Sequence, residues 1–340
     1  MVLEAILSTS MNTNESPINP TKYREIISTL PRQPNVFAPP LDQYIHKYQG
    51  FWFRTTMLES IMSVHEHFTP QPTDIIICTN PKSGTTWLKA LCFATFTRTR
   101  FNDFSSHPLF TKSPHDFIPW IEISANRESE LPVFATHIPY TLLPKYIVEL
   151  KCKIIYLSRD PKDLFISYWQ FMCKLRKEAI PLETAYQYFC KGINSCGPWW
   201  DHILGSWKAS LEFPEKILFM KYEDMMNDPF SYVKRIAEFM SCPFSAEEER
   251  QGLVQKIVNL CSFETLSNLE VNRNSLENSA TGALKIENNS FFRKGKVGDW
   301  KNYLTAEMGA HLDQITEQKF SGSGLSFRAQ DLQCLSEGKS

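Results

Sequence analysis

A short apolar run, a glycine turn and a helix-compatible run follow one another near the end of the first quarter of the chain. The apolar run 75–78 is followed by Pro81, which predicts a short buried strand. Gly84 allows a tight turn, and the run 85–91 predicts a helix directly after it. This order places free backbone N–H groups and the positive end of a helix dipole beside Lys82. The stretch therefore predicts a phosphate-binding loop within an α/β fold.

The order of residues in this loop bears on which nucleotide it binds. In the common nucleotide-binding loop the lysine follows the second glycine, whereas here Lys82 comes before Gly84. The sequence also shows no obvious acidic magnesium ligand after a predicted strand, which a kinase of this type needs. Both features argue against an ATP-dependent kinase.

Composition limits the other functional classes. The chain has 340 residues, 42% of them hydrophobic, which is enough for the core of one α/β domain. A net charge of −1 gives no overall field that would attract nucleic acid or an anionic membrane. The apolar stretches fall short of the roughly 20 residues of a membrane span, and the N-terminus lacks a basic signal-peptide region. We expect neither a nucleic-acid nor a membrane partner.

The cysteines and histidines give no metal signature. The nine cysteines are an odd number, are scattered and contain no C-x-x-C pair, which predicts free thiols in a reducing, cytoplasmic compartment. The nearest candidate cluster is His65-Glu66-His67, but neighbours two apart on a helix point to different faces. We expect no metal.

Predicted strands alternate with predicted helices along the chain. The predicted strands are 74–80, 133–136, 153–158 and 216–220. The predicted helices are 85–97, 229–240, 246–260 and 305–319, with a further helix starting at Asp160-Pro161, and an amphipathic stretch lies near 57–68. This alternation predicts a parallel sheet with helices on both faces. The Asn- and Ser-rich segment 267–290 predicts a long loop, with an active-site lid as one interpretation.

Several polar residues follow the ends of these predicted strands. In such sheets ligands bind beyond the carboxyl ends of the strands. The residues collected there are Lys82 and Ser83 after the first strand, His137 after the second, Arg159 and Ser167 after the third, and Tyr222 after the fourth. Each alone has an ordinary structural interpretation, such as a surface cation, a core aromatic or a buried histidine. Their joint placement on one rim predicts a site.

A second basic, glycine-containing element lies at 291–300. Arg293, Lys294 and Lys296 alternate there with Gly295 and Gly298. A solvated loop is the simpler interpretation, and a second anion site is the functional one. Two separated anion sites would suit a ligand with two separated phosphate-like groups.

Four stretches together resemble the cytosolic sulfotransferase family, in its plant-type form. They are 81–88 (PKSGTTWL), 159–163 (RDPKD), 261–264 (CSFE) and 292–300 (FRKGKVGDW). The resemblance covers roughly residues 45 to 328, with the stretches in the family's order. It implies a P-loop-like nucleotide-binding architecture and 3′-phosphoadenosine 5′-phosphosulfate as the donor. It also implies a polar, partly mobile segment at 1–45, a single sulfotransferase domain at 46–330 and a C-terminal tail at 331–340.

The resemblance assigns roles by position. It assigns Lys82, Ser83, Gly84, Thr85 and Thr86 to the 5′-phosphosulfate, Trp87 to the region of the adenine, Arg159, Ser167, Arg293, Lys294 and Gly295 to the 3′-phosphate, and Tyr222, Ser262 and Phe263 to the adenosine. It makes His137 and Lys82 the catalytic residues. A neutral imidazole is a suitable base for the acceptor hydroxyl, and Lys82 can stabilise charge on the leaving group. We expect direct in-line transfer without a covalent intermediate.

Two departures from animal members concern the acceptor and the oligomeric state. Ala135 stands where animal members often carry a lysine, two residues before His137. In the segment that animal members use to dimerise, Ala306 and Ala310 replace the usual Val and Glu, which favours a monomer.

The acceptor is expected to be a hydrophobic hydroxylated small molecule, because the segment 100–145 is rich in apolar and aromatic side chains. Those singled out are Phe110, Phe117, Trp120, Ile138 and Tyr140. A flavonoid-like phenol is our expectation; a steroid, a hydroxyjasmonate or a desulfoglucosinolate remains open. A non-catalytic nucleotide-binding protein, which would not need His137, is a further alternative. A membrane-anchored lumenal sulfotransferase would need an anchor and would favour paired cysteines, and the sequence suggests neither.

Overall fold

A computed structural model of the protein describes residues 20–37, 42–101, 103–123, 131–150, 152–279 and 285–327. The strands are β1 (Arg32–Pro34), β2 (Tyr44–Tyr48), β3 (Phe51–Arg54), β4 (Ile75–Thr79), β5 (Val133–Thr136), β6 (Lys153–Ser158), β7 (Ile217–Lys221), β8 (Leu276–Asn278) and β9 (Lys285–Glu287). The helices are α1 (Pro20–Ser28), α2 (Thr55–His67), α3 (Thr85–Phe96), α4 (Pro114–Phe117), α5 (Lys145–Glu149), α6 (Pro161–Arg176), α7 (Leu182–Cys190), α8 (Trp199–Glu212), α9 (Tyr222–Asn227), α10 (Pro229–Phe239), α11 (Ala246–Arg250), α12 (Leu253–Leu260), α13 (Phe263–Asn268), α14 (Glu270–Asn274) and α15 (Ala306–Phe320).

The central sheet is parallel, with strand order β5-β4-β6-β7. All five residues of β4 are buried, and alternate side chains point to opposite faces. Ile76 and Cys78 join the core that includes α2, α6 and α8, whereas Ile75 and Ile77 join the core that includes α3, α10 and α12. Helices therefore cover both faces, and the predicted fold class is confirmed.

Each predicted strand of the central sheet is present to within a residue or two. The helix starting at Asp160-Pro161 is also present, because the Asp160 carboxylate accepts the Lys162 backbone N–H at 2.8 Å. The predicted single helix 246–260 is wrong. Gly252 has φ +69°, a left-handed conformation that ends one helix and lets α12 start in a new direction.

The interpretation of 267–290 as one long loop is also wrong. Helix α14, the antiparallel pair β8–β9 and a 3₁₀ turn at Asn288–Phe291 occupy most of it, and residues 280–284 lie outside the described residues. Asn residues stabilise this structure by binding main-chain carbonyls: Asn272 Nδ2 donates to Leu266 O at 2.9 Å, and Asn288 Nδ2 to Val271 O at 3.0 Å.

The segment expected at 1–45 is packed where the structure describes it. Tyr23 and Ile27 of α1, four residues apart, bury one face of the helix in the core. The Tyr23 hydroxyl donates to Glu66 Oε2 of α2 at 2.7 Å. Residues 20–37 therefore pack with the domain, and a boundary at 46 cuts through packed structure. Residues 1–19 and the tail predicted at 331–340 lie outside the described residues, and the division into domains stays a prediction.

Within the described ranges, none of the helices is both long enough and apolar enough to span a bilayer. The same ranges contain no grouping of three or more potential metal ligands. Glu66, in the candidate cluster named above, instead accepts hydrogen bonds from Lys22 and Tyr23.

Candidate active site

The loop between β4 and α3 forms an anion-binding cradle. Lys82 and Gly84 both have positive φ, at +72° and +106°, which turns the chain sharply from the strand into the helix. A Cβ on Gly84 would lie 2.9 Å from the Tyr222 ring, so only glycine fits there without displacing that ring. The loop leaves the first N–H groups of α3 without intrahelical acceptors, where a phosphate or sulfate group binds well.

Lys82 is a buried cation among other cations. Its Nζ lies 4.1 Å from the centre of the Phe171 ring and 3.4 Å from Ser290 O. Burial, followed by the charges of Arg159, Arg293 and Lys174, lowers the pKa of Lys82 to about 7. A bound anion would offset both causes and restore the charged form.

His137 follows β5 and is oriented by its neighbours. Its Nδ1 lies 2.8 Å from the carbonyl oxygen of Thr79, which can only accept, so the proton is on Nδ1 and the Nε2 lone pair is free. The His137 backbone N–H donates to Glu122 at 2.9 Å, and the Trp120 ring lies 4.5 Å away. Burial above all lowers the pKa of His137 to about 3. The imidazole is therefore neutral and able to accept a proton.

Arg159 stands at the end of β6, facing the same cavity. Its guanidinium lies 4.6 Å above the Tyr222 ring and donates to the carbonyls of Lys82 at 3.3 Å and Lys296 at 3.2 Å. Its Nε is buried and finds no partner among the described residues. Ser167, two turns into α6, lines the same part of the cavity. Arg159 and Ser167 thus line a part of the cavity where an anion could bind.

The second basic element, 291–300, is held against α6. The carboxylate of Asp163 accepts the backbone N–H groups of Gly298 at 2.6 Å and of Trp300 at 3.0 Å. Arg293 and Lys294 both pair with Asp299, the latter at 2.8 Å. Burial acts to raise the pKa of Asp299, but hydrogen bonds from Lys294 and Arg293 hold it well below its usual range. A bound anion would share these two cations with Asp299.

Aromatic side chains line the same cavity as these cations. Trp87 meets Tyr222 edge to face, with ring centres 5.5 Å apart. Phe263 is 37% exposed and lies against Gly295, where a Cβ would come within 2.5 Å of its ring. Ser262 caps α13 by accepting the Thr265 N–H at 3.1 Å, so its hydroxyl has a structural use as well as a place in the wall.

One cavity of about 300 Å³ collects the predicted site residues, within the size range of small-molecule sites. Every predicted residue except Ser83 lines it; Ser83 is fully buried beneath the loop, and its Oγ has no partner in the described part of the chain. Of the side chains expected around the acceptor, Trp120 lines the cavity. Phe110, Phe117, Ile138 and Tyr140 do not; Phe117 stacks on Phe93 instead, with ring centres 4.0 Å apart.

Sequence reasoning missed several residues of the wall, notably His115 and Phe171. Phe171 could have been found, because it lies four residues after Ser167 on the same face of α6. His115 carries no local signal. His115 reaches the cavity only because α4 packs beside α3. This packing brings the Nε2 of His115 to within 3.1 Å of Thr86 Oγ1.

This fold and cavity define a nucleotide-binding protein of the P-loop-like α/β class. The family model for the sulfotransferase domain matches residues 72–324. Flavonol 4′-sulfotransferase of Flaveria chlorifolia is 47% identical over 83% of this chain and 89% of its own length. Cytosolic sulfotransferase 16 of Arabidopsis thaliana is 44% identical over 89% and 92% of the two chains.

Solved structures agree with the sequence comparisons. A sulphotransferase of Arabidopsis thaliana has 34% identity and a TM-score of 0.71, covering 94% of this chain and all of its own. A mouse sulfotransferase complexed with PAP has 26% identity and a TM-score of 0.63, covering 86% of this chain and 98% of its own. The chain belongs to the sulfotransferase family, and its predicted resemblance to the plant cytosolic members is confirmed.

Proposed function

We propose that the protein transfers the sulfuryl group of 3′-phosphoadenosine 5′-phosphosulfate to a phenolic hydroxyl of a flat, flavonoid-like acceptor. The observation that carries this proposal is one cavity lined by two cationic groups from separate parts of the chain. Lys82, just before α3, belongs to the first group, and Arg159 with Arg293 and Lys294 makes up the second. The donor carries anionic groups at both ends of a nucleoside, and the relative solved with PAP supports the same ligand class here.

The residues present fit such a donor. Arg159 lines the cavity, and its Nε is a buried polar atom without a partner among the described residues, whereas buried donors of this kind normally have one. We assign Lys82 to Thr86 to the 5′-phosphosulfate, and Arg159, Ser167 and 293–295 to the 3′-phosphate. Trp87, Tyr222, Ser262 and Phe263 are assigned to the adenosine, where stacking of a base on an aromatic ring contributes about 1–3 kcal/mol.

His137 is proposed as the base that accepts the proton of the attacking hydroxyl. Its Nδ1–H is held by Thr79 O, so Nε2 is the atom that accepts. After burial, the cations Lys89 and Lys82 contribute to the low pKa of His137. An anionic donor beside Lys82 would counter them and raise that pKa. Lys82 and the α3 N–H groups would stabilise charge on the leaving group, and the donor itself supplies the activated sulfuryl group.

The basicity of His137 bears on the class of acceptor. A phenol has an ordinary pKa of about 10, and an alcohol is a far weaker acid. A base whose pKa is lowered by burial works better on the more acidic hydroxyl. Trp120 lies 4.5 Å from the His137 ring, and Phe171 and Phe291 also line the cavity. Flat aromatic acceptors suit such walls, and the name of the 47%-identical flavonol 4′-sulfotransferase supports the same class.

We propose that the reaction takes place in the cytoplasm, in a monomeric protein. Relatives named cytosolic sulfotransferases support a cytoplasmic location. The net charge of −1 supports a protein that engages neither nucleic acid nor an anionic membrane. Ala306 and Ala310 in place of the dimer-forming residues support a monomer. We propose that catalysis needs no metal, because Lys82 and the helix start can stabilise the departing charge.

The test is transfer of labelled sulfate from the donor to a panel of acceptors, using the full chain with and without a chelator. The panel contains a flavonol, a steroid, a hydroxyjasmonate and a desulfoglucosinolate at equal concentrations. We expect the highest kcat/KM with the flavonol and no change with the chelator. Preference for another acceptor would refute the flavonoid assignment. Saturable nucleotide binding without transfer to any acceptor would favour the non-catalytic alternative.

A further inference from the structure

A buried cluster behind the phosphate cradle has no part in the roles assigned so far. Lys89 of α3 is fully buried, and His115 of α4 is 6% exposed. The Lys89 Nζ lies 2.8 Å from Ile118 O, 3.1 Å from His115 Nδ1 and 3.7 Å from the centre of the Trp120 ring. These three partners surround the amino group, so Lys89 is held in one position.

The hydrogen bonds of Lys89 determine which nitrogen of His115 carries the proton. In its ammonium form Lys89 can only donate, so His115 Nδ1 accepts from it. Burial lowers the pKa of Lys89 to about 7, so this direction holds at pH values below that. The low pKa of His115, which burial and then the charge of Lys89 keep well below the ordinary value, leaves the ring neutral with a single proton. That proton is on Nε2, which lies 3.1 Å from Thr86 Oγ1. His115 therefore donates to the Thr86 hydroxyl.

This direction decides what Thr86 can offer to a ligand. A threonine hydroxyl has one hydrogen to donate and can accept two hydrogen bonds. Because its oxygen accepts from His115, its own hydrogen is left for another partner, and Thr86 lines the cavity in the first turn of α3. The opposite tautomer of His115 would take that hydrogen away, and Thr86 would then present only lone pairs to an anion.

We propose that Lys89 and His115 form a positioning relay that aims the Thr86 O–H into the phosphosulfate cradle. The inference rests on the proposed donor, but the relay itself is a property of the protein without ligand. Lys89 is not among the described residues that line the cavity, so it acts on a bound donor only through other groups, whereas His115 lines the cavity and holds the Thr86 hydroxyl. The competing explanation is that Lys89 and His115 only complete the packing between α3 and α4.

A double-mutant cycle on affinity for adenosine 3′,5′-bisphosphate separates the two explanations. Lys89→Met and Thr86→Val should each weaken binding by about tenfold, the value of roughly one hydrogen bond to a charged group. The double variant should lose little more than either single one, because the relay acts only through the Thr86 hydroxyl. Independent, multiplying losses would overturn the relay. Lys208→Met, on the exposed face of α8, is the matched control and should bind as the parent protein does.

Substitutions at His115 keep the test decisive if Lys89→Met does not fold. His115→Gln retains an N–H that can reach Thr86, so its affinity should stay near that of the parent protein. His115→Leu lacks that donor, so the Thr86 O–H is no longer held in one direction. Its affinity for the bisphosphate should fall about tenfold. Equal affinities of these two variants would overturn the relay.

The imidazole tautomer gives a readout independent of activity. Nitrogen-15 spectra of the histidines, assigned by comparison with His115→Gln, should show the His115 proton on Nε2 in the ligand-free protein. In Lys89→Met a population with the proton on Nδ1 should appear. A proton on Nδ1 in the parent protein would overturn the relay. If the parent shows the expected tautomer but does not bind the bisphosphate, the proposed function fails while the relay geometry stands.

Discussion

Replacing Gly295 by alanine should weaken nucleotide binding through a neighbouring ring. Gly295 has φ +59°, and a Cβ there would lie 2.5 Å from the Phe263 ring and 2.9 Å from its Cβ atom. The left-handed backbone alone costs alanine about 1–2 kcal/mol of folding stability. The overlap must also move the Phe263 ring. If Phe263 stacks on the adenine, losing that contact costs about 1–3 kcal/mol, or about 5–150-fold in affinity.

The structure supplies a matched control for this change. Gly298 has φ +82°, but a Cβ there would meet nothing within 4 Å. Gly298→Ala should therefore carry a similar backbone cost without moving Phe263. Calorimetric titration with adenosine 3′,5′-bisphosphate should show the large loss for Gly295→Ala alone, with little additional loss when it is combined with Phe263→Ala. Equal affinities of Gly295→Ala and Gly298→Ala would refute the reasoning.

Three further predictions concern the base, the second cationic group and the buried carboxyl below the base. His137→Ala should cut turnover by about 10²–10⁴-fold with unchanged bisphosphate affinity; near-full turnover rejects the base. Arg293→Ala should weaken adenosine 3′,5′-bisphosphate far more than adenosine 5′-monophosphate in competition assays, and equal losses contradict the assignment. Burial raises the pKa of Glu122 to about 7 from 4.5. The fold therefore favours the protonated carboxyl of Glu122. This stabilisation is fully present below about pH 4.5 and is lost as the pH rises through 7, which lowers the free energy of unfolding by about 3 kcal/mol in total. Denaturant titrations should therefore show Glu122→Gln losing less stability than the parent protein between about pH 5 and pH 8; parallel losses contradict this.

Local pattern was enough to predict the central sheet. Ile75, Ile76 and Ile77 are β-branched and turn residues follow soon after, and Asp160 followed by Pro161 is typical of a helix start. The break at Gly252 was missed because a glycine inside a helical segment does not by itself end the helix, and the apolar residues from Leu253 onward have helical spacing. Helix α1 was missed because, among residues 21–28, whose burial is described, Tyr23 and Ile27 are the two that are buried.

The site could be predicted as far as strand ends and sequence motifs reach. Because parallel strands bring their carboxyl ends to one edge, Lys82, His137 and Arg159 had to lie near one another. The contacts that orient these side chains could not be predicted in this way. Pairing of Arg293 with Asp299, and of Lys89 with His115, depends on how loops and helices pack, and no spacing in the sequence encodes it.

We propose that the protein binds one nucleotide through both of its anionic ends. The most direct test of this proposal is the affinity of the full chain for adenosine 3′,5′-bisphosphate beside those for the 3′- and 5′-monophosphates, measured in one calorimetric series. We expect one saturable site and a loss of at least about tenfold in affinity on removing either phosphate, since each phosphate engages charged donors. A monophosphate that binds as tightly as the bisphosphate would contradict this proposal. So would a folded protein that binds none of the three nucleotides but binds magnesium-ATP.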